Sequence, residues 1–238
     1  MTWQEPHPDQ RLQEQTVRFV LLTIGIMVAL NIVSSILAVG WISAVVTTGI
    51  IFSSYLVYVV VRRDRFLAGW VVLGVVAGFL ELFADAWLVG TGSLIYPQGE
   101  PMLWKSPAYM PFAWANVLIQ IGAIGHVLRH RLSLPLAILA TCMLSGLNIP
   151  LYEMLAKHSG WWHYVDTPMI FGAPYYILLA EFLIGGPMVL VSMAMDEKPI
   201  TRALPLGVVV GIGLFLVCPL AWWLLGPCQG AVIQLPCS

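Results

Sequence analysis

Residues 74–87 read GVVAGFLELFADAW, inside an apolar run, 67–90, long enough to cross a bilayer. As a helix, the run places Gly74, Gly78, Glu81 and Asp85 on one face. Small residues spaced by four let a neighbouring helix approach closely. The same face carries two carboxylic acids, which are costly in a membrane unless enclosed. This stretch therefore predicts a helix whose polar face points into a bundle.

Working outward, apolar runs recur at 17–40, 41–61, 108–128, 133–155, 174–195 and 204–225. With 67–90 they make seven spans of an all-α polytopic membrane protein. The composition agrees: 59% of the 238 residues are hydrophobic and only 10% charged, against about 25% charged in soluble domains. Mean hydropathy is +0.86. The expected organisation is a cytoplasmic segment 1–16, a membrane domain 17–225 and an exterior tail 226–238. The N-terminal MTWQEPHPDQRLQEQ lacks the basic-then-apolar pattern of a cleaved signal. Net charge of −1 gives no support for a nucleic-acid partner.

Basic residues set the orientation. Arg11, Arg18, Arg62, Arg63, Arg65, Arg129, Arg131, Lys198 and Arg202 fall on the side of the N-terminus, and only Lys105 and Lys157 on the other. Positive charge stays cytoplasmic, so the N-terminus is expected inside and the C-terminus outside. Trp41, Trp87, Trp104, Trp161, Trp162, Trp222 and Trp223 then lie near the outer ends, as an aromatic belt would. Cys142 and Cys218 lie in apolar runs, while Cys228 and Cys237 flank the tail QGAVIQLP and could form a disulfide outside.

The helix 3–4 and helix 5–6 segments share a pattern. Asp85 is followed after seven residues by Gly92 and after four more by Tyr96; Glu153, Gly160 and Tyr164 repeat those spacings. Ala108 precedes Asn116 by eight residues, as Ala173 precedes Glu181. A duplicated helix pair about a pseudo-two-fold axis along the membrane normal would make Asp85 equivalent to Glu153, and Asn116 to Glu181. The long connections between these helices, both exterior, are rich in aromatics, Gly and Pro, as ordered loops over a site are.

Helical rise gathers Glu81, Asp85, Glu153 and Glu181, with the amides Asn116, Gln120 and Asn148, in the outer half of the bundle. The inner half is expected to be dry apart from Asn31, Ser34 and Ser35. The simpler readings are specific. Glu153 would be a solvated helix end, Asp85 would pair with Lys105 or His163, and the amides would tie helices together. A metal site is not supported: His163 with Asp166 is a weak match, and no two-His arrangement is found within a span. Trp87, Trp114, Tyr152, Trp162, Tyr175 and Tyr176 are core or belt residues singly, but together with buried acids they could line a cavity.

A carboxyl group removed from water holds its proton to higher pH, and a better hydrogen-bonded partner stays ionised. Aromatic faces stabilise a cation between them. This set suits protonation of an alkene or epoxide, ring closure and proton loss. No nucleotide loop, Ser–His pair or redox-cofactor motif is present, so no cofactor is expected.

Residues 151–185, LYEMLAKHSGWWHYVDTPMIFGAPYYILLAEFLIG, resemble small isoprenoid-modifying membrane proteins. In these an acid precedes a G-W-x-Y-like turn, and G-x-P leads into a helix with a second acid. The layout is similar to the heterodimer-type lycopene cyclases and to the membrane-integral terpene cyclases of meroterpenoid pathways. The paired acids that follow a Pro in lycopene cyclases are absent here, where Pro174 precedes Tyr175-Tyr176, which favours the terpene cyclase layout. That resemblance implies cofactor-free, proton-initiated cyclisation of a lipophilic polyprenyl-type molecule taken from the lipid bilayer, with Glu81, Asp85, Glu153 and Glu181 as candidate acid and base. A proton-coupled carrier, or a subunit whose acids only tie helices, are the competing classes. The sequence carries no signal for an oligomeric state.

Overall fold

The computed structural model describes residues 8–227; the anticipated Cys228–Cys237 disulfide and the tail that carries it lie outside the described residues. Among the described residues, seven helices are long and apolar enough to cross a membrane. They are α1 (Pro8–Leu37), α2 (Trp41–Arg62), α3 (Arg65–Thr91), α4 (Met110–Arg129), α5 (Leu134–Ser159), the pair α6 (Tyr175–Gly185) and α7 (Pro187–Glu197), and α8 (Pro199–Leu225). The sixth span is broken because Pro187 has no N–H to give the carbonyl of Leu183.

Two boundaries differ from expectation. Helix α1 begins within the polar segment rather than at residue 17, because Gln and Arg are good helix formers and its Thr16 hydroxyl bonds the Asp64 carboxylate. Helix α8 begins at Pro199 rather than 204, with proline at its first helical position. Asp64 also caps α3, accepting a hydrogen bond from the Leu67 N–H at 2.9 Å.

Successive spans alternate in direction, so α3 and α5 end where α4 and α6 begin. That end carries the aromatic connections, folded as six two-residue strands. Strand β2 (Met102–Leu103) pairs with β3 (Ser106–Pro107), and β5 (Met169–Ile170) with β6 (Ala173–Pro174), as two hairpins. Strand β1 (Leu94–Ile95) reaches across to β4 (His163–Tyr164), antiparallel, with Leu94 opposite Tyr164 and Ile95 opposite His163.

This cross-pairing bears on the internal repeat. If Asp85 corresponds to Glu153, then Ile95 corresponds to His163, and these two face each other. Two equivalent strands that meet at equivalent residues have a local two-fold between them. Gly92 and Gly160 end α3 and α5 in the same left-handed conformation, at φ 81° and 75°, where glycine has no steric penalty. Gly78 and Gly146, which stand in the same register, both sit at close helix contacts. A Cβ at Gly78 would fall 2.1 Å from the Pro111 carbonyl oxygen of α4, and one at Gly146 would fall 3.2 Å from the Leu178 carbonyl oxygen of α6. The glycine face of α3 thus meets α4 nearly backbone to backbone.

Apolar residues fill both ends. Val20, Ile51, Leu67, Trp70, Met188 and Met195 close the arginine-rich end. Leu94, Tyr109, Met110, Trp161, Tyr176 and Ile177 close the hairpin end.

Candidate functional site

Asp85, Glu153 and Glu181 each lie six residues from the hairpin end of their helices, about 9 Å deep by the helical rise. Glu81 is one turn deeper. All four are nearly sealed from the outside, at 4–8% exposure, and all four line one cavity of about 340 Å³. Among the described residues no Lys, Arg or His lines it. The walls come from α1, α3, α4, α5, α6 and α8 and are mostly aliphatic and aromatic.

Each acid has its own setting. The Tyr96 hydroxyl donates to both oxygens of Asp85, at 2.8 and 2.9 Å. Glu153 accepts from the Trp162 indole N–H at 2.6 Å and from the Tyr164 hydroxyl at 3.4 Å. The tyrosines stand at the same place in the two halves, eleven residues after their acids. Burial, then the nearby Asp85 carboxylate, hold the Tyr96 phenol well above its ordinary pKa; burial and then Glu153 do the same for Tyr164. Both phenols therefore remain donors. Glu181 accepts from Ser145 at 3.3 Å. Glu81 has a buried carboxyl oxygen, Oε2, without a hydrogen-bond partner.

The simpler readings of Glu153 and Asp85 do not hold. Glu153 is enclosed, because the β4 strand folds Trp162 and Tyr164 back over it. Among the described residues no ion pair joins Asp85 to Lys105 or His163; Tyr96 occupies its oxygens instead.

Of the anticipated lining residues, Gln120, Asn148, Trp114, Tyr152 and Trp162 face the cavity. Asn116, Trp87, Tyr175 and Tyr176 do not. Asn116 turns toward α2 and donates to the Thr48 carbonyl at 3.2 Å. Trp87 packs edge-on against Trp222. Tyr176 is fully buried against Tyr164, and Tyr175 lies at the start of α6, away from the cavity wall.

The inner half is also less dry than expected. Thr23 and Tyr55 share a hydrogen bond of 2.6 Å, and Gln120 donates to Tyr55 at 3.2 Å. Asn31, expected in the inner half, lies six residues from the end of α1 at Leu37 and so belongs to the hairpin half.

The cavity reaches the side of the bundle. Leu144, Asn148 and Leu151 follow one another along a single face of α5; all three are exposed, and all three line the cavity. On this stripe the cavity wall is also the outer surface of the bundle.

Sequence reasoning missed two features. Tyr96 and Tyr164 were visible as part of the repeat, and their spacing from the acids was the available signal. Glu100, between β1 and β2, is buried with neither carboxyl oxygen paired. Burial, then the charge of Asp85, push its pKa up to about 7. It lies in the extra length of the first connection, which has no counterpart in the second.

Fold and site together define a polytopic all-α membrane protein with an acid-lined internal cavity. The model of a family described as a domain of unknown function, DUF6989, matches residues 82–225, and the chain belongs to that family. The matched stretch contains Asp85, Glu153 and Glu181. No curated protein and no solved structure matches the chain.

Proposed function

We propose that the protein is a membrane-embedded isoprenoid cyclase, of the terpene or meroterpenoid type, that uses no cofactor. The observation that carries this reading is four enclosed carboxyl groups on one apolar cavity with no basic residue among its walls. Without a cation to neutralise them, such acids have protons to give and to accept.

Glu81, which keeps one carboxyl oxygen without a hydrogen-bond partner, supplies the proton to an alkene or epoxide. Trp114, Tyr152 and Trp162 present ring faces to the carbocation that follows. Asp85 and Glu153, each held by a phenol, are set to accept the proton lost at the end. Protons balance over a turnover, and the product is an isomer of the substrate. Access is lateral, past Leu144, Asn148 and Leu151, as suits a molecule dissolved in the bilayer. The excess of arginine at the other end sets the N-terminus in the cytoplasm and the cavity in the exterior half.

The test is product formation in membranes that express the full chain, supplied with polyprenyl and epoxy-polyprenyl substrates. Glu81→Gln, Asp85→Asn and Glu181→Gln should each lower cyclised product by about 10²-fold or more, the usual weight of a general acid or base. Undiminished product in all three variants would remove the proposal.

A proton-coupled carrier has one observation in its favour: Asn31 and Gln120 line the same cavity as Glu181. Against it, Val20, Ile51, Leu67 and Trp70 close the bundle below. Cargo uptake into proteoliposomes driven by a pH gradient, with no chemical change in the cargo, would favour the carrier.

A further inference from the structure

At the arginine-rich end, outside the cavity lining, three potential metal ligands converge. His126 and His130 stand one turn apart at the C-terminal end of α4, where His130 is the cap residue in helical conformation. Asp196 comes from the last turn of α7. One donor atom from each lies within 4.8 Å of the other two. The i, i+4 spacing brings both imidazoles to one face, and the pair straddles the end of α4 at Arg129, so it does not lie within the span itself.

The geometry of the first pair is already that of a metal site. His126 Nδ1 lies 3.4 Å from Asp196 Oδ1, close to the roughly 3.3 Å between neighbouring ligands of a tetrahedral zinc ion. Arg129 donates to Asp196 and lies 3.2 Å from His126 Nδ1. A guanidinium can only donate, so Nδ1 of His126 presents a lone pair to the cluster. Gln13 donates to Asp196 Oδ1 at 2.8 Å and steadies it from outside. The Phe66 ring packs against the His126 ring and fixes its plane. His130 is exposed, with its ring centroid 4.7 Å from that of His126.

We propose that His126, His130 and Asp196 form a site for a divalent transition-metal ion of the Zn²⁺ class, which ties α4 to α7. Two imidazoles and one carboxylate with an open fourth position suit that ion. In the metal-free protein the Arg129 guanidinium holds the place of the ion, and metal binding displaces it. The site is independent of the cyclase reading and shares no residue with the cavity.

The test uses full-length protein in detergent, freed of any affinity tag and titrated calorimetrically with Zn²⁺. One equivalent should bind. His130→Ala, at an exposed position that leaves packing intact, and Asp196→Asn should each weaken binding at least tenfold. Arg129→Gln should tighten it, because a competing cation is gone. A His158→Ala, His163→Ala double variant at the hairpin end should bind as the parent does. Size-exclusion profiles establish that each variant is folded. Absence of stoichiometric binding, unchanged affinity in His130→Ala, or weaker binding in folded Arg129→Gln would each overturn the proposal.

Discussion

The two helix–hairpin–helix halves, α3 to α4 and α5 to α6, share a plan and use it differently. Each has a glycine at the helix crossing, an acid two turns later, a left-handed glycine cap and a tyrosine that returns to the acid. In the first half the crossing is closed, with Gly78 against the backbone of α4. In the second it is looser at Gly146, and the outer face of α5 opens onto the cavity. Position six of the second helix differs most. Asn116 ties α4 to α2, whereas Glu181 faces the cavity. One copy supports the bundle, and the other gives up packing to hold space.

The sharpest way to break this comparison is at the glycines. Gly78→Ala drives a methyl group into the Pro111 carbonyl and should cost at least about 3 kcal/mol, visible as lost yield and a lower Tm in detergent. Gly146→Ala meets atoms at 3.2 Å that need yield only slightly, and alanine's helix preference of about 1 kcal/mol offsets the strain. Its Tm should stay close to the parent's. Equal losses would mean that the crossings do not differ.

The next contrast is at position six. Glu181→Gln should lower cyclised product by about 10²-fold with little change in Tm. Asn116→Ala should do the reverse, removing about 1 kcal/mol of stability and leaving product per folded molecule nearly intact. Product yield and thermal unfolding, measured together, separate the two.

Glu100 belongs to the first half alone. Its pKa of about 7 lies above the ordinary 4.5, so the folded protein binds the extra proton. Its contribution is therefore fully present below about pH 4.5 and is lost as pH rises through 7. Glu100→Gln does not titrate. Its Tm should match the parent's near pH 4.5 and exceed it at pH 8. A constant offset across pH would contradict the assignment.

The smallest effect compares the tyrosines. Tyr96→Phe strips Asp85 of its hydroxyl donor and should cost about 1–2 kcal/mol. Tyr164→Phe removes only a 3.4 Å bond, and Trp162 still holds Glu153, so the loss should be under about 1 kcal/mol.

Much of this was legible in the residues. Gly74, Gly78, Glu81 and Asp85 announced an inward face because helical periodicity and the cost of acids in lipid admit little else. The spacing from Asp85 to Tyr96 and from Glu153 to Tyr164 announced the repeat. Side-chain direction was not legible: Asn116 and Gln120 share a face by spacing, yet only Gln120 reaches the cavity, because α2 covers the outer part of α4. Glu100 was hidden for another reason. It lies in a connection, where no periodicity separates a buried acid from a solvated one. His130 was hidden because it is the residue just past the end of α4, outside the span itself.

The interruption at Gly186–Pro187 has its own consequence. An unbroken rod from Tyr175 to Asp196 would act as a lever, and any tilt at its foot would swing Glu181. Instead the upper piece rests mainly on α5 and α8 and the lower piece mainly on α4 and α8, so α8 is the support they share. A tilt at the foot is then passed to Glu181 through packing on α8 and not along one continuous hydrogen-bonded rod.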